Sequence, residues 1–173
     1  TNISEVRSII GTLSYPRKCI EKFSLNVEPI IKLTRKSQPF IWGNEQKECF
    51  ENIKQLYKSK PYLVHFDPAR DTRLATDDST RGLAGALTQR YDDKWHPIGY
   101  YSRLLKEHER KFPIYDLECM AAIESMEYFD DLISNHYFEL VVDNRAVSFV
   151  KTKQNLNGRL ARIAMYFRNY DFN

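Results

Sequence analysis

Apolar positions recur at helical spacing in three stretches of the first third of the chain. Residues 4–11 predict a helix capped by Ser4, with Val6, Ile9 and Ile10 on one face. Residues 20–33 predict a second helix carrying Phe23, Val27, Ile30 and Ile31, and Pro29 inside it predicts a break or kink. Asn44 is expected to cap a third, whose apolar stripe is Phe50, Ile53 and Leu56 or Tyr57. Trp42 just before that helix can staple against it. The helical segment ends near Lys60 and Pro61.

The turn-forming run at residues 66–71 marks a change of period. Residues 73–77, 83–91 and 95–102 read as three strands of an antiparallel meander, with Asp92 and Asp93 at the second turn. Residues 115–133 predict a long helix through Leu117, Met120, Ala121, Glu124 and Tyr128. Residues 137–142 are strongly β-prone and form a fourth strand. Helices are expected at 146–150 and 158–169, the latter with Leu160, Ile163, Ala164 and Phe167 on one side, and residues 170–173 open a further strand. There is no internal repeat or low-complexity tract. This order predicts an α/β domain with a mixed sheet over residues 67–173, preceded by a small helical segment over residues 1–66. A strand entered from a helix and lying beside the first strand runs parallel to it.

With 173 residues, 42% apolar and 28% charged, the chain is one globular domain with a small appendage, not a disordered segment. No apolar run approaches the roughly 20 residues that cross a bilayer, and no basic-plus-apolar leader opens it, so no membrane partner and an intracellular location (cytoplasmic particle or nucleus) are expected. Cys19, Cys49 and Cys119 lie far apart without a CxxC pair, which argues against a cysteine zinc cluster or disulfide framework and for a reducing compartment. Thr1 in place of Met suggests a piece of something longer. Residues 1–70 hold 12 Lys and Arg against 7 Asp and Glu, whereas residues 71–173 hold 14 against 16. The basic first segment leans towards phosphate contact, a solvated surface being the plain alternative. Arg17, Lys18 and Lys22 are its candidates for tracking a nucleic-acid backbone.

Three acids stand where acids are awkward. Asp77 closes the first strand after Leu74, Ala75 and Thr76, Asp143 closes the fourth after Leu140, Val141 and Val142, and Glu118 lies in the first turns of the long helix. Parallel neighbouring strands would end with Asp77 beside Asp143, and the helix crossing the sheet can bring Glu118 to the same end. Like charges at close range repel unless a cation neutralises them. An all-oxygen set suits Mg²⁺ or Mn²⁺, not zinc. The competing reading is local: Asp favours strand ends and turns, and Glu the first turn of a helix.

Their surroundings carry a resemblance. Thr76-Asp77-Asp78-Ser79, then Gly82, then Gly85-Ala86-Leu87, resembles the T-D-A-S-x-x-G-x-G-A-V-L stretch that opens the ribonuclease H domain of gypsy-type LTR retrotransposon Pol proteins. Tyr101-Ser102-Arg103 with Leu105, Glu109 and Phe112 resembles the family's S-R-x-L-x-x-x-E-x-x-Y stretch. Tyr115-Asp116-Leu117-Glu118-Cys119 with Ala121 resembles its Y-x-L-E-x-L-A helix, and Val142-Asp143-Asn144 its T-D-H or T-D-C. Residues 156–162 and 170–172 resemble the helix and strand that follow. Glu5-Val6-Arg7, Gly11, Tyr15, Arg17-Lys18 and Ile20, then 40–42 with Glu45, Gln46 and Phe50, resemble the reverse transcriptase thumb and its connection. The likeness runs the length of the chain, in the family's order.

The resemblance implies a ribonuclease H-like mixed sheet behind a thumb/connection segment. It implies cleavage of the RNA strand of an RNA/DNA hybrid with two Mg²⁺ (or Mn²⁺) ions, and Asp77, Glu118 and Asp143 as catalytic, metal-holding acids. Asp77 would bridge both ions, Glu118 would hold the one nearer the 2′-hydroxyl, and Asp143 the one serving the nucleophilic water. Ser79, Asn144 and Arg145 would touch substrate or support these acids, and RNA would be told from DNA by its 2′-hydroxyls. The partners implied are the hybrid itself and the rest of a Pol polyprotein.

The sequence departs from the family in places. Its fourth acid, in a final helix, has no counterpart here, and only the first residues of the fifth strand are present, so an open sheet edge that a partner chain could cover is expected. Asp78 replaces an alanine, Pro16 an aromatic and Val142 a threonine. A second reading is therefore a domesticated module that binds protein or nucleic acid with little catalysis. His65, His96, His108 and His136 match no proton-shuttle position and read as surface or turn residues. Tyr91, Trp95, Tyr100 and Tyr101 could stack on bases but fit strand packing, and Cys119 reads as a core thiol.

Overall fold

The computed structural model describes residues 2–36, 38–59, 63–142 and 164–173. Helix α1 (Ile3–Ser14) is capped by Asn2 instead of Ser4. Asn2 Oδ1 accepts from the Glu5 N–H at 2.9 Å, and the Glu5 carboxylate reaches back to the Asn2 N–H, a reciprocal box that starts the helix earlier than its apolar face suggests. The expected second helix is two short ones, α2 (Phe23–Asn26) and α3 (Glu28–Lys32), parted at Val27. Pro29 lies in the first turn of α3, where its missing N–H forfeits no bond. Helix α4 (Asn44–Ser59) contains Asn44; the residue before it, Gly43, donates its N–H to Gln46 Oε1 at 3.1 Å and accepts from the Lys47 N–H. Trp42 packs edge-on against Phe50, centroids 6.5 Å apart. Val6, Ile20, Phe23, Val27, Ile30, Cys49 and Ile53 close a core of their own, and Tyr57, not the more exposed Leu56, completes the α4 stripe.

The sheet has the order β3-β2-β1-β4, with β1 (Thr72–Asp78), β2 (Gly82–Tyr91), β3 (Lys94–Leu104) and β4 (Glu139–Val141). The first three are antiparallel. β4 runs parallel to β1, with Leu140 opposite Leu74 and Val141 opposite Ala75. Asp92 and Asp93 both take positive φ, 46° and 60°, which gives the tight β2–β3 hairpin a twist that suits its strands. Pro97 is tolerated because β3 is an edge strand. Residues 171–173 line up beside β4: the Phe138 N–H donates to the Asp171 carbonyl and the Leu140 N–H to the Asn173 carbonyl.

Helix α5 (Ile114–Tyr128) crosses β1 and β2, and the expected long helix breaks at Phe129 before α6 (Asp130–Ile133). Phe129 is buried there, its ring in the space that Gly99 of β3 leaves open. Leu74 and Leu87 cluster with Cys119, Ala122 and Met126 under the helix, and Leu83 and Leu105 with Leu117 and Ala121 under its first turns. Residues 164–167 are helical and bury Phe167; the expected helix at 146–150 and the rest of 158–169 lie outside the described residues. Among the described residues no helix is long and apolar enough to cross a membrane.

Candidate active site

Side chains alternate along a strand, so each face can be read from the register. On β2, Leu83 and Leu87 face α5, and a Cβ on Gly85 would stand 2.3 Å from Ser125 Oγ of that helix. Cross-strand partners share a face. Thr76 (opposite Gly85) and Asp78 (opposite Leu83) therefore belong to the α5 side, and Asp77 (opposite Ala84) to the other. Asp77 sits at the end of β1 with its side chain 45% exposed, and the ammonium of Lys22 pairs with Oδ2 at 2.7 Å. Glu21, Lys22, Ala75, Asp77, Ala84 and Ala86 line a shallow groove on this face.

Glu118 approaches the same end of the sheet from the helix side. Its neighbours on α5, Leu117 and Ala121, cluster with Leu83, the cross-strand partner of Asp78. The residue is only 7% exposed, and Oε2 is buried with no hydrogen-bond partner among the described residues. A buried carboxylate oxygen left without a donor costs free energy, and it is the kind of atom that a bound cation would satisfy. Asp143, Asn144 and Arg145 lie outside the described residues. Among those described, no group of three acidic, histidine or cysteine side chains is placed to hold an ion, so the set is represented by Asp77 and Glu118.

Ser79 builds the turn between β1 and β2. Its hydroxyl accepts from the Arg81 N–H at 3.2 Å and the Gly82 N–H at 3.1 Å, and its own N–H donates to the Gly82 carbonyl at 2.9 Å. Gly82 is required there, since a Cβ would lie 2.6 Å from the Arg103 carbonyl oxygen. Turn and glycines together hold the strand end that carries Asp77.

The basic candidates of the first segment separate. Arg17 is spent internally: its guanidinium donates to Ser24 Oγ at 3.0 Å and to the Ser102 carbonyl of β3. Ser24 adds two bonds to Ser102, N–H to Oγ at 2.9 Å and Oγ to the carbonyl at 2.8 Å. This clamp fixes the chain around Lys22 against the sheet. Lys18 is exposed, at the rim of a cavity of about 420 Å³ lined also by Phe66, Ile98 and Leu132.

Sequence reasoning overlooked two charged clusters. Arg103 on β3 bonds both Glu109 and Glu124, and the Tyr101 hydroxyl donates to Glu124 at 2.8 Å. These partners raise the Arg103 pKa. Burial and the neighbouring Glu124 carboxylate raise that of the Tyr101 phenol. Burial opposes ionisation of Glu109, yet its bonds from Arg103 and the Lys106 N–H hold its pKa below the usual carboxylate value. The signal was present, since Arg103 and Glu109 are the charged positions of one motif. Glu28 is buried on α3, with Lys32, Arg81 and Arg110 at 3.3, 3.5 and 3.9 Å. Nothing in its local sequence announced that.

Residues 42–140 match the family described as the RNase H-like domain found in reverse transcriptase. The Tf2-3 and Tf2-4 transposon polyproteins of Schizosaccharomyces pombe are each 31% identical to the chain over 99% of its length. The chain spans 13% of either polyprotein. In fold it is similar to a foamy viral protease-reverse transcriptase in complex with double-stranded DNA (TM-score 0.76, 16% identity, 98% of this chain and 31% of that one). It is also similar to one in complex with an RNA/DNA hybrid (TM-score 0.73, 19% identity, 98% and 24%). With the ordered motifs, the mixed sheet and these likenesses together, the chain belongs to the family of RNase H-like domains found in reverse transcriptase.

Proposed function

We propose that this domain cleaves the RNA strand of RNA/DNA hybrids by metal-assisted phosphodiester hydrolysis. The observation that carries the reading is a buried carboxylate oxygen of Glu118 with no donor among the described residues, on the helix packed against β1 and β2. Asp77 is half exposed at the end of β1. Asp77, Glu118 and Asp143 are the residues that would hold Mg²⁺ or Mn²⁺, their oxygen-only chemistry suiting these ions. A pair of such ions would supply an activated water and charge stabilisation at the leaving oxygen.

The chain's own residues prepare that end. Ser79 and Gly82 keep the β1–β2 turn tight behind Asp77. Gly85 lets α5 come close to β2 at Ser125, seven residues along the helix from Glu118. The burial of Glu118 keeps its carboxylate from water, which strengthens its interaction with a cation. The hybrid is the proposed substrate because a solved relative in fold is described in complex with one. Lys18 and Lys22 are the proposed backbone contacts within the first segment, and Asn144 and Arg145 those after the fourth strand.

The test is cleavage of an end-labelled RNA/DNA hybrid in Mg²⁺ and in Mn²⁺. Metal-dependent cutting confined to the RNA strand is expected, with Asp77→Asn and Glu118→Gln each slowing it at least about 100-fold, of the order of losing a directly acting group. No cutting by a folded protein, or cutting that survives both substitutions, would overturn the proposal and leave binding as the domain's role.

A further inference from the structure

Lys22 is not where a freely solvated lysine would be. It occupies a left-handed backbone position, φ 51°, which a non-glycine residue adopts at a cost. The Arg17–Ser24–Ser102 clamp holds the chain on both sides of it. Its ammonium meets Oδ2 of Asp77 at 2.7 Å, at the end of β1. The first segment thus delivers one positive charge to an oxygen that the proposed reaction requires for a divalent cation.

We infer that Lys22 is a positioning residue that acts through Asp77. Its ammonium neutralises and orients the carboxylate while no divalent ion is bound, and gives up that oxygen when an ion arrives. The inference rests on the proposed metal role of Asp77. A carboxylate oxygen engaged by an ammonium at contact distance is a poorer ligand, because the ion pair must open before the oxygen can turn to the metal. The pair is 42% and 45% exposed on its two sides, so solvent screens it and the competition is modest. The device couples the connection segment to the acid site: whatever shifts the clamp at Ser102 shifts the charge at Asp77.

The test is Mn²⁺ binding by the whole chain, followed by the electron paramagnetic resonance signal of free Mn²⁺, with no nucleic acid present. Lys22→Met keeps the length of the side chain and removes its charge. It is expected to bind Mn²⁺ roughly two- to fivefold more tightly than wild type, the factor that matches an exposed ion pair. Lys22→Arg is expected to stay close to wild type. In an Asp77→Asn background the gain from Lys22→Met should vanish, which a purely structural effect would not do. Circular dichroism and the melting midpoint confirm that each variant is folded. Unchanged or weaker binding by Lys22→Met, or a gain that persists without the Asp77 carboxylate, overturns the inference while leaving the metal site in place. Wild-type Mn²⁺ binding that is absent, or indifferent to Asp77→Asn, overturns the metal-site reading and this inference with it.

Discussion

Gly85 sets how closely α5 can approach β2. A Cβ there would lie 2.3 Å from Ser125 Oγ and 2.7 Å from its Cβ, distances at which helix or strand must move. Gly85→Ala is expected to destabilise the domain by about 2 kcal/mol, the usual scale of forced overpacking. Adding Ser125→Ala should not restore stability, because the nearer clash goes but the Cβ contact stays; urea midpoints of the three proteins check this, and a wild-type midpoint for Gly85→Ala would refute the close approach. The glycine was legible in the sequence as part of a motif, but its reason was not. That reason is a contact with a residue 40 positions away. The same holds at Asp77: its place at a strand end was readable from Leu74, Ala75 and Thr76 before it, whereas its ion pair with Lys22, 55 positions earlier, was not.

Among the elements, β3, the 3₁₀ turn at Glu109–Lys111 and α5 are joined by Arg103. Two carboxylates share one guanidinium, so removing Arg103 leaves Glu109 and Glu124 facing each other with little water. Arg103→Leu should cost about 3 kcal/mol or more. Glu109 makes the pH signature. Its folded pKa is lowered, so its stabilisation is present above the ordinary carboxylate value near 4.5 and is lost as pH falls through the folded value. Glu109→Gln is therefore expected to be less stable than wild type by about 2 kcal/mol at pH 7. That gap should narrow below about pH 4.5 and close in stronger acid, as read from urea unfolding at several pH values. A gap independent of pH would mean that the carboxylate's charge has no part in it. Period and turn signals located nearly every described element, yet two joints were misread. The helix over 20–33 is split at Val27, and the helix over 115–133 at Phe129, because burial of these side chains outweighs continuity of the local helical pattern.

Across the whole molecule, the helical segment and the sheet are bound by polar contacts as much as by apolar packing. Ser24 and Ser102 exchange buried hydrogen bonds, and the Glu28 carboxylate gathers cations from α3, the β1–β2 turn and the 3₁₀ turn after β3. Glu28→Ala should cost roughly 1–2 kcal/mol, since the cations it leaves are exposed and recover their hydration. It should also speed amide hydrogen exchange in the β1–β2 turn and α3 together. Arg81→Ala, which removes one well-exposed partner, should cost under about 1 kcal/mol. Independent exchange behaviour of turn and helix in Glu28→Ala would show that the carboxylate does not join them. The sequence by itself determined the class of fold, the meander followed by a parallel strand, and the family, because these depend on local periodicity, turn chemistry and the order of short motifs. Only the tertiary structure decided which face of β1 carries Asp77, that Arg17 is a brace and not a free cation, that Lys22 meets an acid, and that Glu28 and Glu118 are buried. Those facts depend on strand register and on contacts between residues far apart in the chain, where the energy of one carboxylate or one guanidinium is set by what the fold brings against it.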